Sequence, residues 1–187
     1  MIAVTFKKLP FISMKRANVN QIIFSGMEAS KIDQNVAFLL SEDKDDQSTG
    51  MQFFRKCLAI PKPDVFKFLQ LKILPRIIEL MLKRDADNDF CMDAVWILTN
   101  IASSNKKQVS DEIIKANGLQ ALFALFEKSN DLEVKTQCLW TFSNISQDSQ
   151  ENRNKIIATG IYPKIIDFYY QVGFDIANSD LLLTVVW

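Results

Sequence analysis

Two tryptophan–asparagine pairs are the residues of this chain best suited to hold a ligand. Trp96 is followed four residues later by Asn100, and Trp140 is followed four residues later by Asn144. Residues four apart lie on the same face of a helix. Asparagine can bond both the C=O and the N–H of a ligand's main chain. Tryptophan offers an apolar wall to a lysine or arginine stem, with a cation–π attraction of about 0.5–2 kcal/mol. The pairs therefore predict a site for an extended, basic segment.

The alternative is that the tryptophans are ordinary core residues. A single match would favour that interpretation, but two matches at one phase of a repeat favour a groove, because asparagine is a poor helix former and costly to bury unpaired. Asp93 lies three residues before Trp96, and Asp148 lies four residues after Asn144. Taken alone, these carboxylates would belong to a solvated face. Beside the tryptophans they are expected to select the cationic head of a ligand.

Catalysis and metal binding have little support in the composition. The chain contains no histidine, which removes the commonest general base and the commonest zinc ligand. No phosphate-loop, dinucleotide-binding or metalloprotease motif occurs. The three cysteines are far apart and are interpreted as reduced, buried thiols of a cytosolic or nuclear protein: Cys57, Cys91 and Cys138. We therefore expect no enzymatic activity, no cofactor and no metal.

Charge and hydropathy argue against nucleic acid and membranes as partners. Lysine plus arginine and aspartate plus glutamate both number 22, so no bulk positive field attracts nucleic acid. No run approaches the roughly 18 apolar residues of a membrane span. The amino terminus also lacks the pattern of a secretory signal. Any charge selectivity must therefore come from the local placement of side chains.

The tryptophan–asparagine pairs belong to a repeat. The segments DFCMDAVWILTNIASSN (89–105) and EVKTQCLWTFSNISQDS (133–149) superimpose, with their tryptophans 44 residues apart. A third tryptophan, Trp187, follows Trp140 after 47 residues. A second set of segments with helical apolar spacing interleaves with the first: ILPRIIELMLK (73–83), GLQALFALFEK (118–128) and IYPKIIDFYYQ (161–171). Shorter helices are expected before these, at 63–70, 106–116 and 151–159.

A unit of three helices with a period of 43 to 47 residues is typical of armadillo repeats. We predict an all-α fold, a right-handed superhelical solenoid of about three to four repeats. Two helices of a first unit are assigned to 33–60, full units to 62–104 and 105–149, and an unfinished unit to 150–187. Residues 1–32 are predicted to form a flexible arm. The chain ends at LLLTVVW, midway through an expected long helix, which favours a truncated chain over one covered by a partner.

The repeats resemble the importin alpha family of nuclear import adaptors. The resemblance covers residues 33–187 and is carried by FRK at 54–56, AVWILTNIAS, CLWTFSNIS and NRNKIIATGIYPKIIDF. It implies a protein that binds the lysine-rich nuclear localisation signals of cargo proteins, in extended conformation, on a Trp/Asn ladder. It also implies a protein found in both the cytoplasm and the nucleus.

The resemblance further implies which residues line the groove. Trp96, Asn100, Trp140 and Asn144 match the ladder, and Trp187 matches its next tryptophan. Asp148 matches an aspartate that pairs with the most buried lysine of the signal. The complete predicted site is Asp93, Trp96, Asn100, Ser103, Gln137, Trp140, Asn144, Asp148 and Trp187.

Several positions depart from the family pattern. Ser104 replaces a glycine that exposes a carbonyl to the buried lysine, and the nearby threonine becomes Ser110 or Val109, depending on the placement of a one-residue insertion. Thr184 stands where the family has an asparagine before its third tryptophan. Lysine coordination is therefore expected to be weaker than in a typical adaptor.

The arm departs further. MKRANVNQ (14–21) resembles only the last part of the family's basic, importin-beta-binding helix, so weak binding of importin beta is expected. A basic leader without structure is the alternative. For the whole chain, the alternatives to an import adaptor are a general armadillo scaffold for protein interactions and a truncated, non-transporting adaptor fragment.

Overall fold

The computed structural model describes residues 28–61, 63–104 and 107–172. Within these ranges the chain is all-α, and none of the described residues lies in a strand. No described helix is long and apolar enough to cross a membrane. The helices are α1 (Ala29–Leu40), α2 (Lys44–Leu58), α3 (Val65–Gln70), α4 (Leu74–Lys83), α5 (Asn88–Ala102), α6 (Lys107–Lys115), α7 (Gly118–Lys128), α8 (Leu132–Ser146), α9 (Gln150–Ala158) and α10 (Ile161–Val172).

The helices form a solenoid in which a short, a medium and a long helix follow one another in each repeat. α3, α6 and α9 are the short helices, α4, α7 and α10 follow them, and α5 and α8 close the two complete triplets. The long helices form one layer, because α5 packs against both α2 and α8. The medium helices form a second layer, in which α4 contacts α1 and α7. The core fills the space between these layers with fully buried side chains such as Leu39, Phe54, Phe68, Ile77, Leu98 and Leu122.

An aspartate begins each long helix and fixes the phase of the repeat. Asp43, Asp87 and Asp131 are the N-caps of α2, α5 and α8, and they follow one another at a period of 44 residues. Each carboxylate accepts hydrogen bonds from backbone N–H groups of the first turn, which otherwise have no partner within the helix. Each long helix then runs for 15 residues. Equivalent positions on the three helices are therefore related by adding 44.

The corner between each short helix and the next medium helix uses one left-handed residue. Lys72, Asn117 and Gly160 have φ values of 56°, 59° and 79°. Each donates its backbone N–H to the carbonyl three residues earlier, at 3.0–3.1 Å. The left-handed region costs roughly 1–2 kcal/mol for a residue with a Cβ, less for asparagine and nothing for glycine. The same turn is therefore strained at Lys72 and relaxed at Gly160.

Lys72→Gly is accordingly expected to stabilise the protein by about 0.5–1 kcal/mol, since glycine removes the strain but loses more chain entropy on folding. Lys72 is exposed, so no packing is lost. Urea unfolding measures the effect. Lys72→Ala is the matched control, because it removes the long side chain but keeps the Cβ. A glycine variant no more stable than the alanine variant would contradict this account.

The first helix starts earlier than the sequence indicates. α1 begins at Ala29, inside the stretch assigned to the arm, because Ile32 is already buried in the core. The rest of the arm, residues 1–27, lies outside the described residues, as does the end of the chain from residue 173.

Candidate functional site

The two tryptophan–asparagine pairs lie on neighbouring helices. Trp96 and Asn100 are on α5, and Trp140 and Asn144 are at the equivalent positions of α8. A hydrogen bond between two threonines joins these helices side by side: Thr99 Oγ1 lies 2.7 Å from Thr141 Oγ1. The structure therefore places the two pairs in adjacent rows of one helix layer.

The two tryptophans differ in exposure. Trp96 retains only 8% of its accessible surface, whereas Trp140 is half-buried. The Arg55 side chain of α2 covers Trp96, with the guanidinium carbon 5.3 Å from the ring centroid. Arg55 Nε is also 2.6 Å from Asp93 Oδ1. Asp93, expected at the rim of a ligand site, therefore forms an ion pair within the chain.

Arg55 is the site residue that sequence reasoning missed, because the FRK segment by itself indicates only a family resemblance. The signal that identifies Arg55 is the repeat. Arg55 stands one period before Thr99, and Asp93 stands one period before Gln137. Gln137 Nε2 donates to Thr99 Oγ1 at 2.8 Å, so the Arg55–Asp93 ion pair and the Gln137–Thr99 hydrogen bond are equivalent contacts in successive repeats.

Both ladder asparagines are buried. Asn100 is 7% exposed and Asn144 is 2% exposed. Within the described part of the chain, Asn100 Nδ2 is buried without a hydrogen-bond partner. Leaving such a donor unsatisfied costs roughly 1–3 kcal/mol. A carbonyl group supplied by a ligand would satisfy it.

The remaining predicted residues lie at the ends of the long helices or outside the described residues. Ser103 caps the end of α5, and its hydroxyl donates to the Asn100 carbonyl at 2.9 Å. Asp148 is half-buried just beyond α8, where its backbone N–H donates to the Ile145 carbonyl. Trp187 and Thr184 lie outside the described residues.

Polar atoms without partners accumulate where the long helices end. Ser104 is one period before Asp148, so the two occupy equivalent ends of α5 and α8. Among the described residues, buried side-chain atoms without a hydrogen-bond partner include Ser104 Oγ and Gln147 Oε1 at these ends, and Ser110 Oγ on α6. Val109, the other position considered for the missing threonine, is fully buried and apolar. Such unsatisfied groups are rare in folded proteins, and here they flank the ladder.

The described residues show little capacity for nucleophilic or metal chemistry. Burial raises the pKa of Cys57 and of Cys91 to about 12 and also raises the pKa of Cys138. All three thiols are therefore protonated at neutral pH and unreactive. In the part of the chain that the structure describes, no three histidine, cysteine, aspartate or glutamate side chains come together as a metal site.

Comparison with known proteins agrees with this helix arrangement. The model of the Armadillo/beta-catenin-like repeat matches residues 106–147. Importin subunit alpha-6 of Arabidopsis thaliana is 31% identical over 128 residues, which are 68% of this chain and 23% of that protein. The probable importin subunit alpha-A of Dictyostelium discoideum is 28% identical over an alignment of 163 residues, which covers 81% of this chain and 29% of that protein. The chain is an importin-alpha-like armadillo protein.

Solved structures confirm the fold of this importin-alpha-like chain as an all-α armadillo solenoid. A designed armadillo repeat protein in complex with the peptide (KR)4 superimposes with a TM-score of 0.71, at 22% identity, over 84% of this chain and 62% of the designed one. A computationally designed armadillo repeat protein for modular peptide recognition superimposes with a TM-score of 0.64, at 21% identity, over 72% of this chain and 55% of the designed one. The importin-alpha-like chain spans about a quarter of the length of the Arabidopsis and Dictyostelium relatives.

Proposed function

We propose that this chain binds lysine-rich nuclear localisation signals of cargo proteins in an extended conformation, as an import adaptor of the importin alpha type that works in the cytoplasm and the nucleus. The observation that carries the proposal is the placement of two tryptophan–asparagine pairs in adjacent rows, on α5 and α8. In this proposal the peptide chain runs across these helices, and the predicted site residues that the structure describes are Asp93, Trp96, Asn100, Ser103, Gln137, Trp140, Asn144 and Asp148. Trp187 stays a prediction, because it lies outside the described residues.

The spacing of the rows suits an extended peptide. Packed helices lie about 8–10 Å apart, and alternate side chains of an extended chain recur at about 7 Å. Each asparagine amide can therefore bond the peptide main chain, and the unpartnered Asn100 Nδ2 is ready to do so. Each gap between rows then receives one basic side chain. The armadillo protein solved with (KR)4 supports the same use of this fold.

The polar residues near the tryptophan–asparagine pairs have different roles in the proposal. Asp148 supplies a carboxylate for a lysine ammonium group, together with the hydroxyls of Ser104 and Ser110, which have no partner among the described residues. Gln137 acts by holding Thr99 in place rather than by direct contact with the peptide. Importin beta remains a proposed, weak partner of the arm, residues 1–32.

The test is a titration of the full chain with a fluorescein-labelled peptide of five lysines flanked by glycine and serine. We expect the peptide to bind with an affinity that falls as the salt concentration rises from about 0.05 to about 0.5 M. Added ions screen the attraction between the lysines of the peptide and partly exposed carboxylates such as Asp148. Fluorescence anisotropy measures the binding.

Two peptides of the same length serve as controls, one with glutamate and one with asparagine in place of the lysines. Equal affinity for all three would identify a general scaffold rather than a reader of basic signals. Absence of binding to every peptide, from a chain that shows the helical spectrum and a cooperative melt, would refute the proposal.

A further inference from the structure

The first long helix does not continue the ladder. At the position of Trp96 and Trp140, α2 carries Gln52, which is exposed, and at the position of Asn100 and Asn144 it carries Lys56. α2 therefore provides no aromatic wall at the tryptophan position, and no amide at the asparagine position, to a peptide that extends past Trp96. What it provides at this edge is Arg55.

Arg55 makes the contacts that the proposed function assigns to a basic side chain of the ligand. Its guanidinium group lies over the Trp96 ring and its Nε lies against the Asp93 carboxylate. An aromatic face and a carboxylate are the two groups that hold a cation in such a slot. The side chains of Arg55 and Asp93 are only 18% and 17% exposed, so the pair is well sheltered from water.

The next gap along the layer is organised differently. The residue equivalent to Arg55 is Thr99, which is 3% exposed and contacts Thr141 and Gln137 through its hydroxyl. A threonine side chain is much shorter than an arginine side chain and has no cationic group to place over a tryptophan ring. Trp140 is accordingly half-buried, whereas Trp96 is almost fully buried. The gap between α2 and α5 thus holds a cation of the chain itself, and the gap between α5 and α8 holds uncharged polar side chains.

We infer that Arg55 is an internal cation that fills the slot on the α2 side of Trp96 and so limits how many basic side chains a bound peptide can place along the layer. The peptide is read from the gap between Trp96 and Trp140 onward, and a further basic residue beyond Trp96 adds no affinity. This inference rests on the proposed function. It goes beyond it by assigning Arg55 and Asp93 to specificity rather than to direct binding of the signal.

The experiment uses peptides of alternating lysine and serine, (Lys-Ser)n with n from 1 to 5, because each added unit presents one more lysine on the same side of an extended chain. With the natural chain, affinity should rise with n and reach a plateau. Arg55→Met removes the cation beside Asp93 and leaves a shorter, uncharged side chain that a lysine of the peptide can displace. Affinity should then rise for one more Lys-Ser unit before it reaches its plateau. The additional gain is expected to be about twofold to thirtyfold, the range of one cation–π contact.

Two further variants test the separate roles of the Arg55 cation and the Asp93 carboxylate. Arg55→Lys keeps a cation beside Asp93 and should keep the natural plateau. The double variant Arg55→Met with Asp93→Asn removes the carboxylate of the opened slot and should return the plateau to that of the natural chain. A series of (norleucine-Ser)n peptides should show no gain in any variant, because the slot selects charge.

The outcomes separate the inference from the function on which it rests. A natural chain that binds the lysine series, beside a folded Arg55→Met variant with the same plateau, overturns the inference and leaves the proposed function standing. No rise of affinity with n in any variant overturns both. If Arg55→Met does not fold, hydrogen exchange of the Arg55 Nε–H in the natural chain decides. The inference expects protection that persists when (Lys-Ser)5 saturates the protein, and loss of that protection refutes it.

Discussion

Trp140→Ala is expected to weaken binding of a lysine-rich peptide by about 1–3 kcal/mol, the range of central contacts in an interface, which is roughly 5- to 160-fold in affinity. Trp140 is half-buried, so its ring offers surface to a ligand, and the neighbouring Thr99 is too short to cover it. Asn144→Ala should cause a loss of similar size, because the peptide main chain then loses its amide partner. Fluorescence anisotropy with the five-lysine peptide measures both changes.

Matched controls exist on helices outside the long-helix layer. Phe66 is an aromatic residue of α3 that is 42% exposed, and Asn154 is an exposed asparagine of α9. Phe66→Ala and Asn154→Ala should leave peptide affinity unchanged. Unchanged affinity in Trp140→Ala, or the same loss in the two controls, would show that the tryptophan does not face the ligand.

Trp96→Ala is expected to act mainly on stability, with a loss of about 3–5 kcal/mol in the free energy of unfolding, as for a large aromatic side chain removed from a core. Trp96 is 8% exposed and supports the Arg55 guanidinium. Removal of the indole ring leaves a cavity, and the Arg55 guanidinium loses the aromatic face on which it lies. A loss of this size is a large share of the roughly 5–15 kcal/mol that stabilises a typical domain.

Urea unfolding compares Trp96→Ala with Trp140→Ala in the same buffer. The two residues occupy the same position of the repeat, so the comparison isolates the effect of the neighbour, Arg55 or Thr99. We expect the Trp96 variant to be clearly the less stable of the two. Equal stability of the two variants would mean that the contact with Arg55 does not make Trp96 part of the core. It would then contradict the inference that Arg55 fills the slot beside Trp96.

Much of the architecture could be predicted because it repeats locally. The tryptophans 44 residues apart indicate the period, and the apolar spacing indicates the helices that follow each other in every unit. The segment ILPRIIELMLK is an example, because its Pro75 lies in the first turn of α4, where the N–H that proline lacks would have no partner within the helix. The start of α1 could not be predicted in the same way, because the burial of Ile32 depends on helices that come after it in the chain.

The sequence by itself determined the all-α repeat, the phase of the long helices and the two tryptophan–asparagine pairs, since these follow from hydrophobic spacing, N-cap chemistry and a constant period. Only the tertiary structure decided which contacts equivalent residues of successive repeats make and how deeply each of them is buried. Asp93 contacts Arg55 and Gln137 contacts Thr99, and Trp96 is almost fully buried whereas Trp140 is only half-buried. The physical reason is that these contacts cross from one repeat to the next. The Arg55 side chain is long enough to lie over the Trp96 ring, whereas the short Thr99 side chain bonds Thr141 and Gln137 on the adjacent helix. Packing, rather than the neighbours in the chain, selects the partner that each side chain meets.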